Sequence, residues 1–249
     1  MAGHSKWANI KHRKGRQDAL RGKIFTRLAK EITVSAREGG GDIAANPRLR
    51  LAVQNAKAVN MPNENITRAI KKGTGEIEGV QYEEITYEGY APYGVAIILE
   101  TVTDKKLRTV AEVRALFGKL GGNMGETNSV AWNFERKGVV NIKTNGKSEE
   151  ELLEHVLESG AEDMEWDEEV TRIVCQMADF GIVMKYFEEN NFEISEGKLE
   201  YIPKDLVNIS NPDEARKILK FVDAFEEQDD VQNLYHNFEI DDSIADQIE

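Results

Sequence analysis

Residues 73–79, Gly-Thr-Gly-Glu-Ile-Glu-Gly, divide the chain at a change of hydrophobic period, and that change limits the folds open to it. Upstream, apolar residues recur every three to four positions, the period of an amphipathic helix. Ile24, Leu28, Ile32 and Ala36, with Phe25 beside them, predict a helix from Gly22 to Arg37 that Gly39-Gly40-Gly41 ends. Asn46-Pro47 opens a second, with a capping side chain and a proline at the first turn, and Leu49, Ala52, Val53 and Ala56 form its stripe. A third runs from about Pro62 to Lys72, with Ile66, Ala69 and Ile70 inward. Lys71 and Lys72 stand in its last turn, where the helix dipole favours cations, and Gly73 is the expected terminator. Three short helices with brief loops predict a small bundle.

Downstream the pattern becomes strand and helix in turn. Ile85 and Tyr87 alternate with polar residues, and Val95–Leu99 is a nearly continuous apolar strand beyond the turn Ala91-Pro-Tyr-Gly94. Thr109 with Glu112 predicts a capping box for a helix whose inner face is Val110, Val113, Phe117 and Leu120, and Gly121-Gly122 stops it. Val130, Trp132 and Phe134 alternate as a strand, and Arg136-Lys137-Gly138 reads as a boundary. A second set follows. Val139–Ile142 predicts a strand; Ser148 and Glu151 cap a helix carrying Leu152, Leu153, Val156 and Leu157 to Gly160; Glu162–Glu169 leads into a strand at Val170–Met177. Asp179 opens a helix with Val183 and Phe187, and Leu199–Ile202 returns as a strand. The set is read as the βαββαβ order that a ferredoxin-like two-layer unit requires. A last βαβ set comprises Leu206–Ile209, a helix opened by Asn211-Pro212 with Ile218, Val222 and Phe225, and Leu234–Ile240. The fold class is therefore α+β. How the last set pairs with the first is left open by the pattern.

Charge divides the chain at nearly the same place. Residues 1–75 hold 16 Lys and Arg against 5 Asp and Glu, whereas 76–249 hold 16 against 40. A whole-chain net charge of −13 conceals this partition. Asymmetry of this kind points to a module facing a polyanion joined to a solubilising or protein-facing body. The basic part begins with Lys6, Lys11, Arg13, Lys14, Arg16, Arg21, Lys23, Arg27 and Lys30, and continues with Arg48, Arg50, Arg68, Lys71 and Lys72. Residues 1–20 have few apolar anchors and read as an arm mobile until it meets a partner. Phosphate neutralisation by such cations is strong, salt-dependent and indifferent to sequence. Trp7, His4 and His12 would add stacking on unpaired bases. The residues favour a nucleic acid as partner without separating DNA from RNA.

Other chemistries find little support. Tyr82, Tyr87, Tyr90 and Tyr93 offer stacking surfaces, although strand tyrosines more often pack. Gly121-Gly-Asn-Met-Gly125 and Gly73-Thr-Gly75 lack P-loop or dinucleotide spacing and follow helices, so helix termination is their expected role. Four histidines and the single cysteine, Cys175, show no zinc spacing, Cys175 reads as buried core, and no cofactor is expected. The acidic residues between Glu162 and Glu169 lack an EF-hand pattern. No Ser/His/Asp or Cys/His constellation emerges, so no enzyme is expected. The longest apolar runs are far short of the ~20 residues of a membrane span. With no apolar signal-peptide core and a lone cysteine, a cytoplasmic location is expected.

The opening Met1-Ala-Gly-His-Ser-Lys-Trp-Ala-Asn-Ile-Lys-His12, the segment Asn60-Met-Pro-Asn-Glu-Asn-Ile-Thr-Arg-Ala-Ile-Lys-Lys-Gly73, the hairpin Tyr87–Ala96, and Gly121–Gly125 through Phe134–Gly138 together resemble the YebC/PmpR family over essentially the whole length. The family pattern usually has Gly where Tyr93 stands. The resemblance implies three domains: the arm and three-helix bundle at 1–79, a two-layer α+β domain from 80–135 and 205–249, and a ferredoxin-like domain at 136–204 inserted into it. It further implies a regulator of gene expression, either a DNA-binding transcriptional regulator acting at promoters or a ribosome-associated translation factor that binds ribosomal RNA and relieves stalls, including at proline-rich stretches. The acidic body would be free to meet the ribosome or another protein.

Overall fold

The computed structural model describes residues 17–248, with side chains from residue 22 onward apart from those of 245 and 246. Contacts gather these residues into two units: 17–79 with 136–200, and 80–135 with 201–248.

In the first unit, helices α1 (Gln17–Gly39), α2 (Pro47–Ala58) and α3 (Asn63–Thr74) enclose a core of Ile32, Ala36, Leu49, Ala52, Val53, Ala56, Met61, Ile66 and Ala69. The predicted stripes face this core, with Phe25, Leu28 and Ile70 half-buried against it and Ile24 exposed. Asn46 ties the first two helices together. Its Oδ1 accepts from Leu49 N at 3.0 Å, capping α2, while its Nδ2 donates to Ser35 O and Gly40 O at 2.8 and 2.9 Å. The first helix ends where the glycines predicted. The third does not: Gly73 is buried inside α3, and Gly75, with φ +79°, supplies the left-handed turn. Gly73 is needed for a different reason. A Cβ there would overlap Thr33 O and lie 2.7 Å from Ala36 Cβ, so the missing side chain lets α1 and α3 approach backbone to backbone. Thr33 Oγ1 also reaches Ala69 O at 3.2 Å.

Residues 136–200 of the same unit follow the predicted βαββαβ order. Strand β4 (Phe134–Lys143) runs unbroken through the expected boundary at Arg136–Gly138, where the division between the two units falls, and Gly138 packs tightly beneath Cys175 and Phe180. Helix α5 (Glu149–Ser159) has the full Ser148–Glu151 capping box and ends at Gly160 with φ +79°. Strand β5 (Asp163–Glu165) emerges from the acidic stretch, where alternation was hidden by charge. It is followed by β6 (Val170–Gln176), α6 (Phe180–Glu189) and β7 (Ile194–Pro203), and the sheet order is β5-β6-β4-β7, the ferredoxin-like order. Leu152 and Val156 enter the core with Val140, Ile142, Ile173, Val183 and Phe187, while Leu153 and Leu157 face solvent. Asp179 opens α6 by position, yet its side chain makes no capping bond. Cys175 is buried, and burial with nearby Asp179 and Glu162 pushes its thiol up to about 11, so it is inert packing. The bundle meets β7 within this unit: Asn55 Nδ2 donates to Gly197 O at 2.8 Å, and Gly197 N donates back to Asn55 Oδ1 at 3.0 Å. One amide side chain thus stands in for a neighbouring strand on this edge.

In the second unit, β1 (Glu83–Tyr90) and β2 (Ala96–Thr103) form an antiparallel hairpin with Tyr87 opposite Leu99. Tyr93 in its turn has φ +64°, the left-handed conformation in which a glycine carries no Cβ penalty. Helix α4 (Lys106–Lys119) begins before the predicted capping box. Thr109 lies buried within the helix, its hydroxyl bonded to Thr103 Oγ1 and Asp230 Oδ2, and so caps nothing. Strand β3 (Asn123–Met124) pairs with β1. The predicted strand at Val130–Trp132 is a tight 3-10 turn over Ala131–Asn133. After β8 (Val207–Ile209) and α7 (Pro212–Glu226, capped by Asn211), β9 (Val231–His236) pairs with β2 and β10 (Phe238–Ile240) pairs in parallel with β8. The predicted single strand at 234–240 is split by Asn237, whose Oδ1 accepts from Ala96 N at 2.7 Å and whose Nδ2 donates to Asp205 O. Phe117, Phe221 and Phe225 fill the core under the sheet, ring centroids 4.8–5.3 Å apart. Tyr87 belongs to that core, so its role is packing.

Two outcomes follow from these contacts. Gly73→Ala should lower stability by about 1–3 kcal/mol through forced separation of α1 and α3, even though helix propensity alone favours Ala by roughly 1 kcal/mol; urea unfolding reads the sign. Second, Glu200 is largely withdrawn from solvent, with 14 % of its side chain accessible, which pushes its carboxyl up. The charges of Lys198 and Arg172 and hydrogen bonds from both outweigh burial and hold it at about 2 instead of 4.5. Its stabilisation is complete above the unfolded-state value and is lost as pH falls from 4.5 towards 2. Acid unfolding of Glu200→Gln should accordingly show a shallower pH dependence across that window than the parent.

Candidate nucleic-acid interface

The bundle sorts its cations into two kinds. Arg48 on α2 bridges to α1, with Nε on Glu31 at 2.9 Å and Nη1 on Glu38 at 2.7 Å. Its charge is matched locally, and its fork fastens one helix to the other. Lys30 retains only 8 % of its surface. Lys23, Arg27 and Lys30 recur at i, i+4 and i+7 and so lie along one stripe of α1, the first two half-buried. Arg50 is exposed, and its Nη1 donates to Ala44 O at 3.1 Å, which fixes the guanidinium over the loop before α2.

Helix α3 differs. Ile66, Ala69 and Gly73 face α1, which turns Arg68, Lys71 and Lys72 to the opposite side, all three exposed. Among the described residues their side chains make no ion pair and no hydrogen bond, and Glu64 in the first turn is the acidic residue of that helix. At spacings of i, i+3 and i+4 the three are surface neighbours. Lys71 and Lys72 are also favoured by the carbonyl end of the helix dipole. Three adjacent exposed cations cost the free protein mutual repulsion, and a polyanion relieves it.

Of the residues expected from sequence, then, Arg68, Lys71 and Lys72 come together on one face; Arg50 is exposed on α2; Lys23 and Arg27 are half-buried on α1; Lys30 is buried; and Arg48 is taken up by the bundle itself. Lys6, Trp7, Lys11, His12, Arg13, Lys14 and Arg16 lie outside the described residues, as does the side chain of Arg21. The distinction between Arg48 and Arg68 could have been drawn earlier from Glu31 and Glu38, which lie on α1 seven residues apart and so on one side of that helix. No three His, Cys, Asp or Glu side chains gather as a metal site among the described residues. No described helix is long and apolar enough to cross a membrane.

Comparison with known proteins accords with this division. Residues 5–76 match the model of the TACO1/YebC protein N-terminal domain, and residues 82–238 match that of the TACO1/YebC second and third domain. A "probable transcriptional regulatory protein" of Halothermothrix orenii is 50 % identical, the alignment covering 100 % of this chain and 99 % of that one. One of the same description from Thermotoga maritima is 51 % identical, over 100 % and 98 %. The crystal structure of a conserved hypothetical protein from Aquifex aeolicus superposes with a TM-score of 0.89 at 46 % identity, covering 96 % of this chain and 99 % of that chain.

Proposed function

The chain belongs to the TACO1/YebC family, and from that premise we propose that it is a non-enzymatic, nucleic-acid-binding regulator of gene expression that docks on phosphates through α3 and the basic N-terminal stretch. The observation that carries this reading is the set of three exposed, mutually adjacent cations, Arg68, Lys71 and Lys72, on a helix whose register is fixed by close packing. The relatives' description as probable transcriptional regulators supports DNA at a promoter as the target. Contacts of this type set position and affinity and carry no sequence information, so base selection lies elsewhere.

The experiment is a salt titration of duplex binding by fluorescence anisotropy. Replacing Arg68, Lys71 and Lys72 together by Ala should weaken binding and reduce the slope of log K against log salt by roughly 0.9 per lost phosphate contact, about 2–3 in all. The same should follow, with a comparable loss per residue, from Lys11, Arg13, Lys14 and Arg16 to Ala. An unchanged slope in both variants contradicts phosphate docking here. Crosslinking in cells followed by sequencing of the bound nucleic acid separates the two targets: promoter DNA supports the transcriptional reading, and ribosomal RNA replaces it with a translational one.

A further inference from the structure

The second unit holds a surface turn that is tied down far more firmly than its exposure warrants. Glu88 on β1 is buried, with 6 % of its surface accessible. Its carboxylate accepts three backbone N–H groups of one loop: Asn128 N at 2.8 Å on Oε1, and Val130 N and Ala131 N at 2.9 and 2.8 Å on Oε2. Glu88 O also accepts from Gly125 N at 2.8 Å. Asn133, at the end of the turn, exchanges two hydrogen bonds with Asp205, its Nδ2 on Asp205 O at 3.0 Å and its Oδ1 accepting from Asp205 N at 2.9 Å. Its carbonyl accepts from Lys204 N at 2.7 Å. Val130 and Phe134 on either side are buried.

What this scaffold presents is Trp132. At 64 % exposure it is the most exposed aromatic side chain among the described residues. Its indole N–H, the ring's one donor, is already bonded to Ser129 O at 3.1 Å. The ring is therefore oriented by its own loop and offers only π surface. Lys204 stands beside it, exposed, with Nζ donating to Trp132 O at 3.2 Å and two further N–H donors directed elsewhere.

From this geometry we infer that Trp132 is a stacking site for an unpaired nucleobase and that Lys204 receives the adjoining phosphate. A flat π face beside an ammonium matches the two parts of a single-stranded nucleotide, and aromatic stacking is tolerant of base identity. A fixed ring loses little entropy on binding, which makes rigid anchoring of the turn useful. A protein partner is the less suitable occupant. Hot-spot tryptophans sit amid an apolar patch that excludes water, whereas Glu126, Thr127, Asn128, Glu135, Lys204 and Asp205 around this turn are polar. The inference rests on the nucleic-acid reading above, and it adds a contact that is not electrostatic.

The two readings fail separately under one design. A labelled oligoadenylate carrying 2-aminopurine, and a blunt duplex of the same length, are titrated with the full chain, with Trp132→Ala and with Trp132→Phe. Trp132→Ala should weaken single-strand binding by about 5- to 100-fold, as loss of one stacked base does, leave the salt slope unchanged, and abolish quenching of 2-aminopurine. Trp132→Phe should restore part of the affinity and the quenching. Duplex affinity should not change. Equal single-strand affinity and equal quenching in the Ala variant would overturn the stacking site, whatever the salt slope shows. Quenching that is absent for all three proteins would overturn it too. Circular dichroism of both variants checks that the turn's removal of one exposed ring leaves the fold intact, and Lys204→Ala, which should lower the single-strand salt slope by roughly 0.7, tests the phosphate half independently.

Discussion

A methyl group on residue 73 would collide with the carbonyl of Thr33, and this single steric fact fixes how α3 lies against α1. With glycine there the two backbones touch, Thr33 Oγ1 reaches Ala69 O, and Ile66 and Ala69 enter the core beside Ile32 and Ala36. The rotation of α3 about its own axis has no freedom left. Arg68, Lys71 and Lys72 must then point outward, because they occupy the opposite side of the same helix. The chemistry of the proposed phosphate-binding face is thus a consequence of packing on the other side of α3. The Arg48 fork to Glu31 and Glu38 and the Asn46 knot at the end of α1 hold the second helix to the same frame.

The second unit reaches rigidity through polar groups. Glu88 spends its whole carboxylate on the backbone of one loop, and Asn237 and Asn133 fasten 205–207 and the break between β9 and β10. A buried carboxylate is tolerated only when satisfied, and here three backbone N–H groups satisfy it. In the first unit the counterpart is the Arg172, Lys198, Glu165 and Glu200 network on the sheet face away from the helices, where pairing offsets desolvation. Acidic residues that the composition offers only as net charge therefore divide into structural ones, such as Glu88 and Glu200, and solvated ones, such as those of α5.

Periodicity made the helices and most strands legible. The stripes of α1 to α3, the Ser148 box, the Asn46 and Asn211 caps and the ferredoxin-like order of 136–200 all come from local rules that tertiary contacts reinforce. The misread positions share a cause. Gly73 and Thr109 carry residue types with strong local meanings, a stop and a cap, and each is instead employed for a contact distant in sequence. Val130 and Phe134 flank Trp132 at period two and so mimic a strand; the carboxylate of Glu88, some forty residues earlier, holds the backbone in a turn that leaves the indole exposed. Among the cations, composition counted Lys30 and Arg48 equally with Lys71 and Lys72. Only the placement of Glu31 and Glu38 and the burial of Lys30 separate them.

Lysine reactivity measures that separation most directly. The chain is acetylated with and without bound duplex, and each lysine's modification is quantified by mass spectrometry. Docking through α3 predicts that Lys71 and Lys72 react readily in the free protein and are protected in the complex. Lys185, exposed on α6, should react equally in both states, and buried Lys30 should react slowly in both. Lys71 and Lys72 reacting as fast in the complex as in the free chain, at a concentration where binding is complete, would contradict docking on this face.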